Sequence, residues 1–209
     1  MQIDFISDVA CPWCAVGLHS LEKALAEVGS ELDVTLRFQP FELNPTMAAE
    51  GDDTVAYLGR KYGISAAQIR QNQAAIRERG AAVGFTFGER NRVWNTFNAH
   101  RLLHWAGLEG RQRELKLALL QAYHGEGRNP GDAGVLTDLA GQVGLDVARA
   151  REILASDEFA AEVREAERHW ADAGIQSVPA VVIDGRHLIQ GAQPPEVFAQ
   201  ALRQVAAQG

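Results

Sequence analysis

The sequence predicts an α/β protein with a mixed central sheet and a large all-helical insertion. Three observations lead to this prediction. Two strand patterns flank one helical pattern within residues 1–45, which indicates a β-α-β unit. A run of four apolar residues, a hairpin signal and a final amphipathic pattern indicate a β-β-α unit at the other end. Between these two units, residues 46–172 show helical patterns only.

The first unit is defined by its apolar spacing and by its prolines. Ile3, Phe5 and Ile6 predict a strand that ends at Ser7-Asp8. A helix should begin at Pro12, because proline lacks the N–H group that would have no partner in the first helical turn. It should end at Gly29, and residues 34–39 predict the second strand. A helix that joins two strands leaves them parallel.

The middle of the chain predicts a series of helices. The expected ranges are 54–62, 65–79, 95–106, 112–124, 134–143, 146–155 and 157–173. In the last of these helices, Ser156 is the expected N-cap and Gly174 marks the end. Residues 80–92 are rich in glycine and predict an extended loop.

The end of the chain supplies the remaining strands. Residues 180–183 predict a strand that is buried on both faces, and residues 187–190 predict its partner across Asp184-Gly185. A final helix is expected over residues 195–206. Neither end unit could bury a core alone. We therefore expect one discontinuous domain, residues 1–45 plus 173–209, with residues 46–172 as a helical insertion domain.

Composition excludes several classes of protein. The chain has 209 residues, 46% of them hydrophobic, which excludes a disordered or fibrous protein. Its net charge of −7 argues against general nucleic-acid binding, which needs a basic surface. No apolar run approaches the roughly 18 residues of a membrane helix, and the first residues lack the pattern of a secretory signal. We expect a cytoplasmic protein with neither a nucleic acid nor a membrane as partner.

Both cysteines of the chain lie in one tetrapeptide, Cys11-Pro12-Trp13-Cys14. Cys11 stands at the predicted helix start, where free backbone N–H groups and the helix dipole favour a thiolate. Cys14 lies one turn further, within reach of a mixed disulfide on Cys11. Because cytosolic thiols are kept reduced, such a pair indicates a catalytic, redox-sensing or metal-binding role. Asp8 is close by and could either oppose the thiolate or relay a proton.

A second feature, Val178-Pro179, directly precedes the apolar strand at residues 180–183. Proline cannot donate to a sheet and is expected at the start of this strand. About one X–Pro bond in twenty is cis in folded proteins. A Cys-x-x-Cys pair at a strand–helix junction raises that expectation for Val178-Pro179.

Several blocks together resemble a known family. These blocks are Ser7-Asp8, Cys11-Pro12-Trp13-Cys14, Pro40-Phe41-Glu42-Leu43-Asn44-Pro45, Asn95-Thr96, Ala99-His100-Arg101-Leu102 and Val178-Pro179. They are similar to the DsbA-like thioredoxin-fold oxidoreductases of the FrnE type, and the resemblance spans essentially the whole chain. It implies a thioredoxin-like fold with a helical insertion and a protein disulfide oxidoreductase with its dithiol/disulfide at Cys11 and Cys14.

The resemblance also implies roles for neighbouring residues. Pro12, Trp13, Val178 and Pro179 would shape the active site, and the Pro179 backbone would pair with the substrate chain. The candidates for substrate binding are Phe41, Asn44, Asn95 and His100. The substrate would be a protein or peptide with a thiol or disulfide. No bound cofactor is implied, and glutathione is a candidate co-substrate.

Two alternatives remain open. Kappa-class glutathione transferases and 2-hydroxychromene-2-carboxylate isomerases share this architecture, but they carry a serine near the Cys11 position and lack the second thiol. A non-enzymatic redox or metal sensor is the other alternative. A structural zinc site needs four ligands. His100 and His104 share a helical face but are far from Cys14 in sequence, so we expect no metal. The Pro-Trp dipeptide also replaces the Pro-His of the periplasmic DsbA proteins, which argues against a strongly oxidising potential.

Overall fold

The structure, a computed structural model, describes residues 1–208. The strands are β1 Gln2–Ser7, β2 Thr35–Pro40, β3 Asp52–Asp53, β4 Arg92–Val93, β5 Ala180–Ile183 and β6 His187–Gln190. The helices are α1 Pro12–Val28, α2 Thr54–Tyr62, α3 Ala66–Val83, α4 Phe97–Leu108, α5 Gln112–Leu120, α6 Ala133–Gln142, α7 Val147–Leu154, α8 Ala160–Asp172 and α9 Pro195–Ala206. A 3-10 turn at Gly29–Glu31 follows α1, and a π-helical turn at Gln121–Gly125 extends α5.

The two ends of the chain share one four-stranded sheet in the order β2-β1-β5-β6. Strand β1 pairs with β2 in parallel, with Ile3 opposite Leu36. On its other side β1 pairs with β5 in antiparallel fashion, with Ile3 opposite Ile183. Strand β6 completes the sheet as the antiparallel partner of β5. The predicted mixed sheet with a β-α-β half and a β-β-α half is confirmed.

Two apolar clusters support the sheet and the first helix. One cluster joins the sheet to α1 and α9 and includes Phe5, Leu18 and Phe198, together with Phe85 and Leu120 from the middle of the chain. The other cluster fills the helical region between α4, α5, α6 and α7. It also takes in Val9 and Ala10, which follow β1. The end of β1 therefore lies where the two clusters meet.

The predicted start of α8 at residue 157 was wrong, and so was its Ser156 cap. The helix begins at Ala160, after Phe159 with a φ of 62°. The reason is the buried guanidinium of Arg101, to which the carbonyl oxygens of Ile153, Ser156 and Glu158 all accept hydrogen bonds. The carbonyls of Ser156 and Glu158 turn toward Arg101 instead of lying along the axis of a helix that begins at residue 157.

Residues 46–172 are not purely helical as expected, because β3 and β4 form a short antiparallel pair there. Other boundaries also differ from the prediction. Helix α3 continues through Gly80 to Val83, so only the later part of residues 80–92 is a loop. Gly80 is required there, because a Cβ atom would lie 2.5 Å from the Phe87 ring. In the last hairpin Ile183 pairs with His187, so residues 184–186 connect the two strands and the turn is one residue longer than expected. The Ile183 carbonyl accepts a hydrogen bond from Arg186 N–H at 3.1 Å.

Candidate active site

The buried carboxylate of Asp8 anchors the loop between β1 and α1. Asp8 is buried, and one of its oxygens accepts hydrogen bonds from Ala10 N–H at 3.0 Å and from the Thr96 hydroxyl at 2.7 Å. Its other oxygen accepts from Leu43 N–H at 2.7 Å. His100 Nε2 lies 3.4 Å from the first oxygen. Asp8 thus connects the cysteine loop to the loop after β2 and to the start of α4.

These contacts decide the ionisation of Asp8. Burial raises the pKa of Asp8, but the hydrogen bond and charge of His100 and the bonds from Leu43 and Thr96 outweigh burial. The net result is a pKa below the usual range. Asp8 is therefore a carboxylate at neutral pH. Its position fits a structural anchor better than a proton relay.

The carbonyl groups of the same loop are held from the helical region. His124 Nε2–H donates to Val9 at 2.8 Å, and Arg90 donates to Ala10 at 3.1 Å. Burial and the charge of Arg90 lower the pKa of His124 well below its usual range, which keeps the imidazole neutral. Its unprotonated Nδ1 lies 3.3 Å from the Arg90 guanidinium and accepts a hydrogen bond from it. The π-helical turn Gln121–Gly125 presents His124 to the loop, and such turns are frequent at functional sites.

The two thiols differ in environment although one helical turn separates them. Cys11 is the N-cap residue of α1 and is 4% exposed, whereas Cys14 is fully buried. A hydrogen bond from the Cys14 thiol and the backbone N–H groups of Cys14 and Trp13 lower the pKa of Cys11, against burial and the charge of Asp8. Burial, followed by the interaction with Cys11, raises the pKa of Cys14 well above its usual range. Of the two thiols, Cys11 is therefore the one that ionises more readily.

The loop before β5 faces Cys11. The Val178-Pro179 bond is cis, and the Cys11 thiol donates to the Val178 carbonyl at 3.7 Å. The carbonyl of Pro179 instead accepts from Gly191 N–H at 2.8 Å. The expectation that the Pro179 backbone pairs with substrate stays a prediction. Proline has no N–H group to donate, and the carbonyl that faces the Cys11 thiol belongs to Val178.

A cavity of about 960 Å³ opens beside Cys11 and is here called the active-site groove. Its walls come from the start of α1, the loop after β2, the α2–α3 pair and the segment before β5. Most of its side chains are apolar or aromatic, including Trp13, Phe41, Tyr57, Tyr62, Ile69 and Val178. Trp13 is 38% exposed, so the residue between the cysteines faces the groove rather than the core.

The four candidate substrate-binding residues divide into two pairs. Phe41 and Asn44 lie on the wall of the groove. The side-chain oxygen of Asn44 accepts hydrogen bonds from the Tyr57 hydroxyl and from Lys61 at 2.8 Å, which fixes the loop to α2. Asn95 and His100 lie outside this wall. Asn95 accepts from Phe97 N–H at 2.9 Å at the start of α4, and His100 contacts Asp8.

Several charged residues of the site were not foreseen from the sequence. Lys61 and Arg90 line the groove, and Glu42 pairs with Arg164 of α8. Lys116 of α5 is 1% exposed. A lone lysine among the apolar residues of α5 was a signal that sequence reasoning could have used, because lysine is rarely fully buried without a specific reason. The other charged residues lie in polar segments of the sequence, where a charged side chain does not stand out.

The structure also bears on metals and membranes. Within residues 1–208, no three His, Cys, Asp or Glu side chains are grouped closely enough to hold a metal ion. His104 packs its ring against Phe159, with the centroids 5.1 Å apart. None of the helices in the described part of the chain has the length and apolar character needed to cross a bilayer.

Comparisons with known proteins agree with this fold. The structure of a probable DsbA oxidoreductase, SCO1869 from Streptomyces coelicolor, is similar with a TM-score of 0.94 and 37% identity, over 100% of this chain and 91% of that one. The uncharacterized protein YwbO of Bacillus subtilis is 29% identical, over 97% of this chain and 96% of its own. The cytosolic disulfide reductase DsbM of Pseudomonas aeruginosa, solved with GSH, has a TM-score of 0.70 at 17% identity, over 99% of this chain and 100% of that one, which shows a common fold. The model of the DSBA-like thioredoxin domain matches residues 2–203, and the chain belongs to this family.

Proposed function

We propose that this protein exchanges disulfides with protein or peptide substrates through Cys11 and Cys14. The observation that carries the proposal is the inequality of the two thiols. Cys11 has a lowered pKa and lies at the groove, while Cys14 is buried directly behind it with a raised pKa. A nucleophile that meets the substrate and a resolving thiol that is shielded from it are what thiol–disulfide exchange requires.

The reaction begins with the Cys11 thiolate. It attacks one sulfur of a substrate disulfide, forms a mixed disulfide and releases the other substrate sulfur as a thiolate. Cys14 then loses its proton and attacks Cys11 Sγ, so that a Cys11–Cys14 disulfide forms and the second substrate sulfur leaves as a thiolate. Two electrons pass from the enzyme dithiol to the substrate. The reverse sequence oxidises a substrate dithiol.

The groove supports a peptide as the substrate. Its volume of about 960 Å³ lies within the range typical of ligand sites, and its apolar lining suits the side chains of an unfolded segment. The Val178 carbonyl beside Cys11 is an acceptor for a backbone N–H of an extended chain. Trp13 and Phe41 would contact residues that flank the substrate cysteine.

The cysteines carry the electrons themselves, so the proposed reaction needs no bound cofactor. A thiol must regenerate the dithiol after each reduction, and glutathione is the proposed co-substrate. A cytoplasmic location is consistent with this direction, because the glutathione pool keeps cytosolic thiols reduced. The fold shared with a cytosolic disulfide reductase solved with GSH supports the same assignment.

Insulin reduction with glutathione as electron donor tests the proposal. The wild-type protein should accelerate precipitation of the insulin B chain, and Cys11→Ser should abolish the acceleration. Cys14→Ser is the matched variant, and it should still attack substrate but accumulate as a mixed disulfide detectable by mass spectrometry. Undiminished activity in Cys11→Ser would contradict the proposal. Turnover of an aromatic substrate with glutathione that survives Cys14→Ser would instead support a glutathione-dependent transferase or isomerase.

A further inference from the structure

A second cavity, with a volume of about 360 Å³, opens beside the active-site groove and is here called the side cavity. The two cavities have wall residues in common, which are Pro12, Gln73, Ile76 and Arg90. Pro12 directly follows Cys11, so the wall of the side cavity includes the residue next to the thiol. Since an extended chain advances about 3.3 Å per residue, a side chain two residues from a substrate cysteine at Cys11 lies about 7 Å away, within reach of this opening.

Positive charge predominates in the side cavity, although the chain as a whole carries a net charge of −7. Among the described residues, three arginines and two carboxylates line it, namely Arg70, Arg77, Arg90, Asp53 and Glu89. One of the carboxylates already has a role in the fold, because Asp53 caps α2 and accepts a hydrogen bond from Ala56 N–H at 2.8 Å. The local field therefore favours an anion in this cavity.

Arg70 and Arg77 have no carboxylate partner of their own. They lie seven residues apart in α3, about two helical turns, and so share one face of the helix with Gln73. Both side chains are exposed, and neither forms an ion pair within residues 1–208. A carboxylate that entered the side cavity would therefore meet two guanidinium groups that need not give up another ion pair.

The backbone that carries these arginines is well fixed. Arg90 donates to the Ala10 carbonyl at 3.1 Å, and its guanidinium lies over the Tyr123 ring, 5.1 Å from the centroid. Helix α3 begins with a capping box in which Ser65 and Gln68 exchange hydrogen bonds with each other's backbone N–H groups. Arg90 is thus placed beside the cysteine loop, and the two arginines of α3 project from a stable helix.

We propose that the side cavity is a specificity subsite in which Arg70 and Arg77, beside Arg90, bind an acidic side chain of the substrate peptide near its reactive cysteine. The inference rests on the proposed function and narrows the substrate class to peptides or proteins with Asp or Glu close to the cysteine. Guanidinium groups match carboxylates in geometry as well as in charge, because two parallel N–H groups can bond both oxygens. A basic side chain at the same position would be repelled.

Three synthetic peptides test this subsite. Each has one cysteine in a mixed disulfide with an uncharged 2-thiopyridyl group, which absorbs light when released, and the peptides differ only in carrying Glu, Gln or Lys at the second position on both sides of the cysteine. Reduced protein is mixed with each peptide, and every rate is divided by the rate of the same peptide with dithiothreitol. At low ionic strength the Glu peptide should react about fivefold faster than the Gln peptide, and the Lys peptide should be the slowest. The preference should shrink in about 1 M salt, where the Debye length is about 3 Å.

Two double variants and a matched control identify the residues responsible. Arg70→Gln/Arg77→Gln should bring the ratio of the Glu and Gln rates down to about one, and Arg70→Glu/Arg77→Glu should reverse the order in favour of the Lys peptide. Arg151→Gln/Arg168→Gln removes two exposed charges of α7 and α8, which line neither cavity of the described chain, and should keep the wild-type ratio. This control separates local binding from the change in net charge. Arg90 is left intact because it holds the cysteine loop.

The contradicting results are distinct. A wild-type ratio in Arg70→Gln/Arg77→Gln that is folded, as judged by circular dichroism, would overturn the inference, and so would equal slowing with all three peptides. The single variants Arg70→Gln and Arg77→Gln should each show part of the effect, and they serve as the test if the double variant does not fold. An unchanged peptide preference together with slower regeneration by glutathione would assign the side cavity to a carboxylate of glutathione and also overturn the inference. Failure of the wild type to react with any of the peptides would instead contradict the proposed function.

Discussion

At the scale of single residues, two identical side chains acquire opposite chemistry from their surroundings. Cys11 receives hydrogen bonds from the Cys14 thiol and from backbone N–H groups at the start of α1. Cys14 has no exposed surface, so its ionisation is opposed by burial. Asp8 has two effects on this site. Its negative charge raises the pKa of Cys11, and the hydrogen bonds that it accepts fix the loop that carries Cys11. Stability and reactivity should therefore respond in opposite directions when Asp8 is changed.

Asp8→Asn should destabilise the protein by about 2–4 kcal/mol, since an amide N–H would face Leu43 N–H and leave a buried donor without a partner. The folded-state pKa of Asp8 is depressed, so its stabilisation is present above the unfolded pKa of about 4 and is lost as the pH falls through the folded value. Asp8→Asn should not show this loss of stability at acid pH, because its amide does not titrate. Its Cys11 should also ionise at lower pH. Urea denaturation against pH and thiolate ultraviolet absorbance check both effects, and an unchanged Cys11 titration would contradict this account.

Trp13 supplies no charge to the thiolate beside it. Trp13→His should place a titratable cation near Cys11, lower its pKa and stabilise the reduced protein. The reduction potential should rise by roughly 30 mV for each unit by which the pKa of Cys11 falls. Equilibration with glutathione redox buffers measures this shift, with Trp13→Phe as the uncharged control. Equal potentials for the two variants would show that charge at this position has no influence.

At the scale of elements, the active site depends on how closely α1 approaches the loop before β5. Gly17 of α1 faces Pro179, and a Cβ atom at this position would lie 3.0 Å from the proline ring and 3.4 Å from the Ala192 Cα atom. The absent side chain lets the helix carry Cys11 to within 3.7 Å of the Val178 carbonyl. A single methyl group is therefore enough to disturb the meeting of these two elements.

Gly17→Ala should lower stability by about 1 kcal/mol, because overpacking outweighs the gain in helix propensity. It should also reduce insulin reduction by displacing the Val178 carbonyl from Cys11. Gly59→Ala in α2 is the matched control, since its Cβ atom would meet its nearest neighbour, the Ile64 carbonyl oxygen, at 3.4 Å, an ordinary contact. That variant should be neutral or slightly more stable. Thermal unfolding of the two variants distinguishes the explanations, and similar melting temperatures would contradict the steric one.

At the scale of the whole molecule, the sheet and the helical region share their cores. Phe85 and Leu120, from the middle of the chain, are buried in the cluster around the sheet, and Val9 and Ala10 are buried with the helical cluster. The loop that carries Cys11 therefore lies at the junction. The division into residues 1–45 plus 173–209 and 46–172 stays a prediction, and residue 209 lies outside the described residues.

Because the clusters interlock, unfolding in urea should be a single transition. Tryptophan fluorescence and far-ultraviolet circular dichroism should report coincident midpoints. Phe85→Ala should lower the free energy of unfolding by about 3–5 kcal/mol and shift both signals together. A helical region that retained its circular dichroism after the sheet had unfolded would show two independent units.

Much of this molecule follows from local sequence. The strand and helix patterns, the Cys11–Cys14 pair at a helix start and the mixed sheet could all be predicted, because periodicity and proline placement act over a few residues. The start of α8 could not, since the carbonyl groups before it turn toward Arg101, which is distant in sequence. The same limit explains why the contact of His100 was not evident, since its partner Asp8 is distant in sequence.

The sequence by itself determined that both thiols lie at one helix start, and the tertiary structure decided how their charges are balanced. The order strand, Cys-Pro-Trp-Cys, helix places a cysteine thiol at a helix terminus in any fold that keeps those elements. The hydrogen bonds that the buried Asp8 carboxylate accepts, and the position of the Val178 carbonyl opposite Cys11, depend on β1, α4 and the loop before β5 meeting in space. Burial and electrostatic coupling act across distances in space that the order of residues along the chain does not specify.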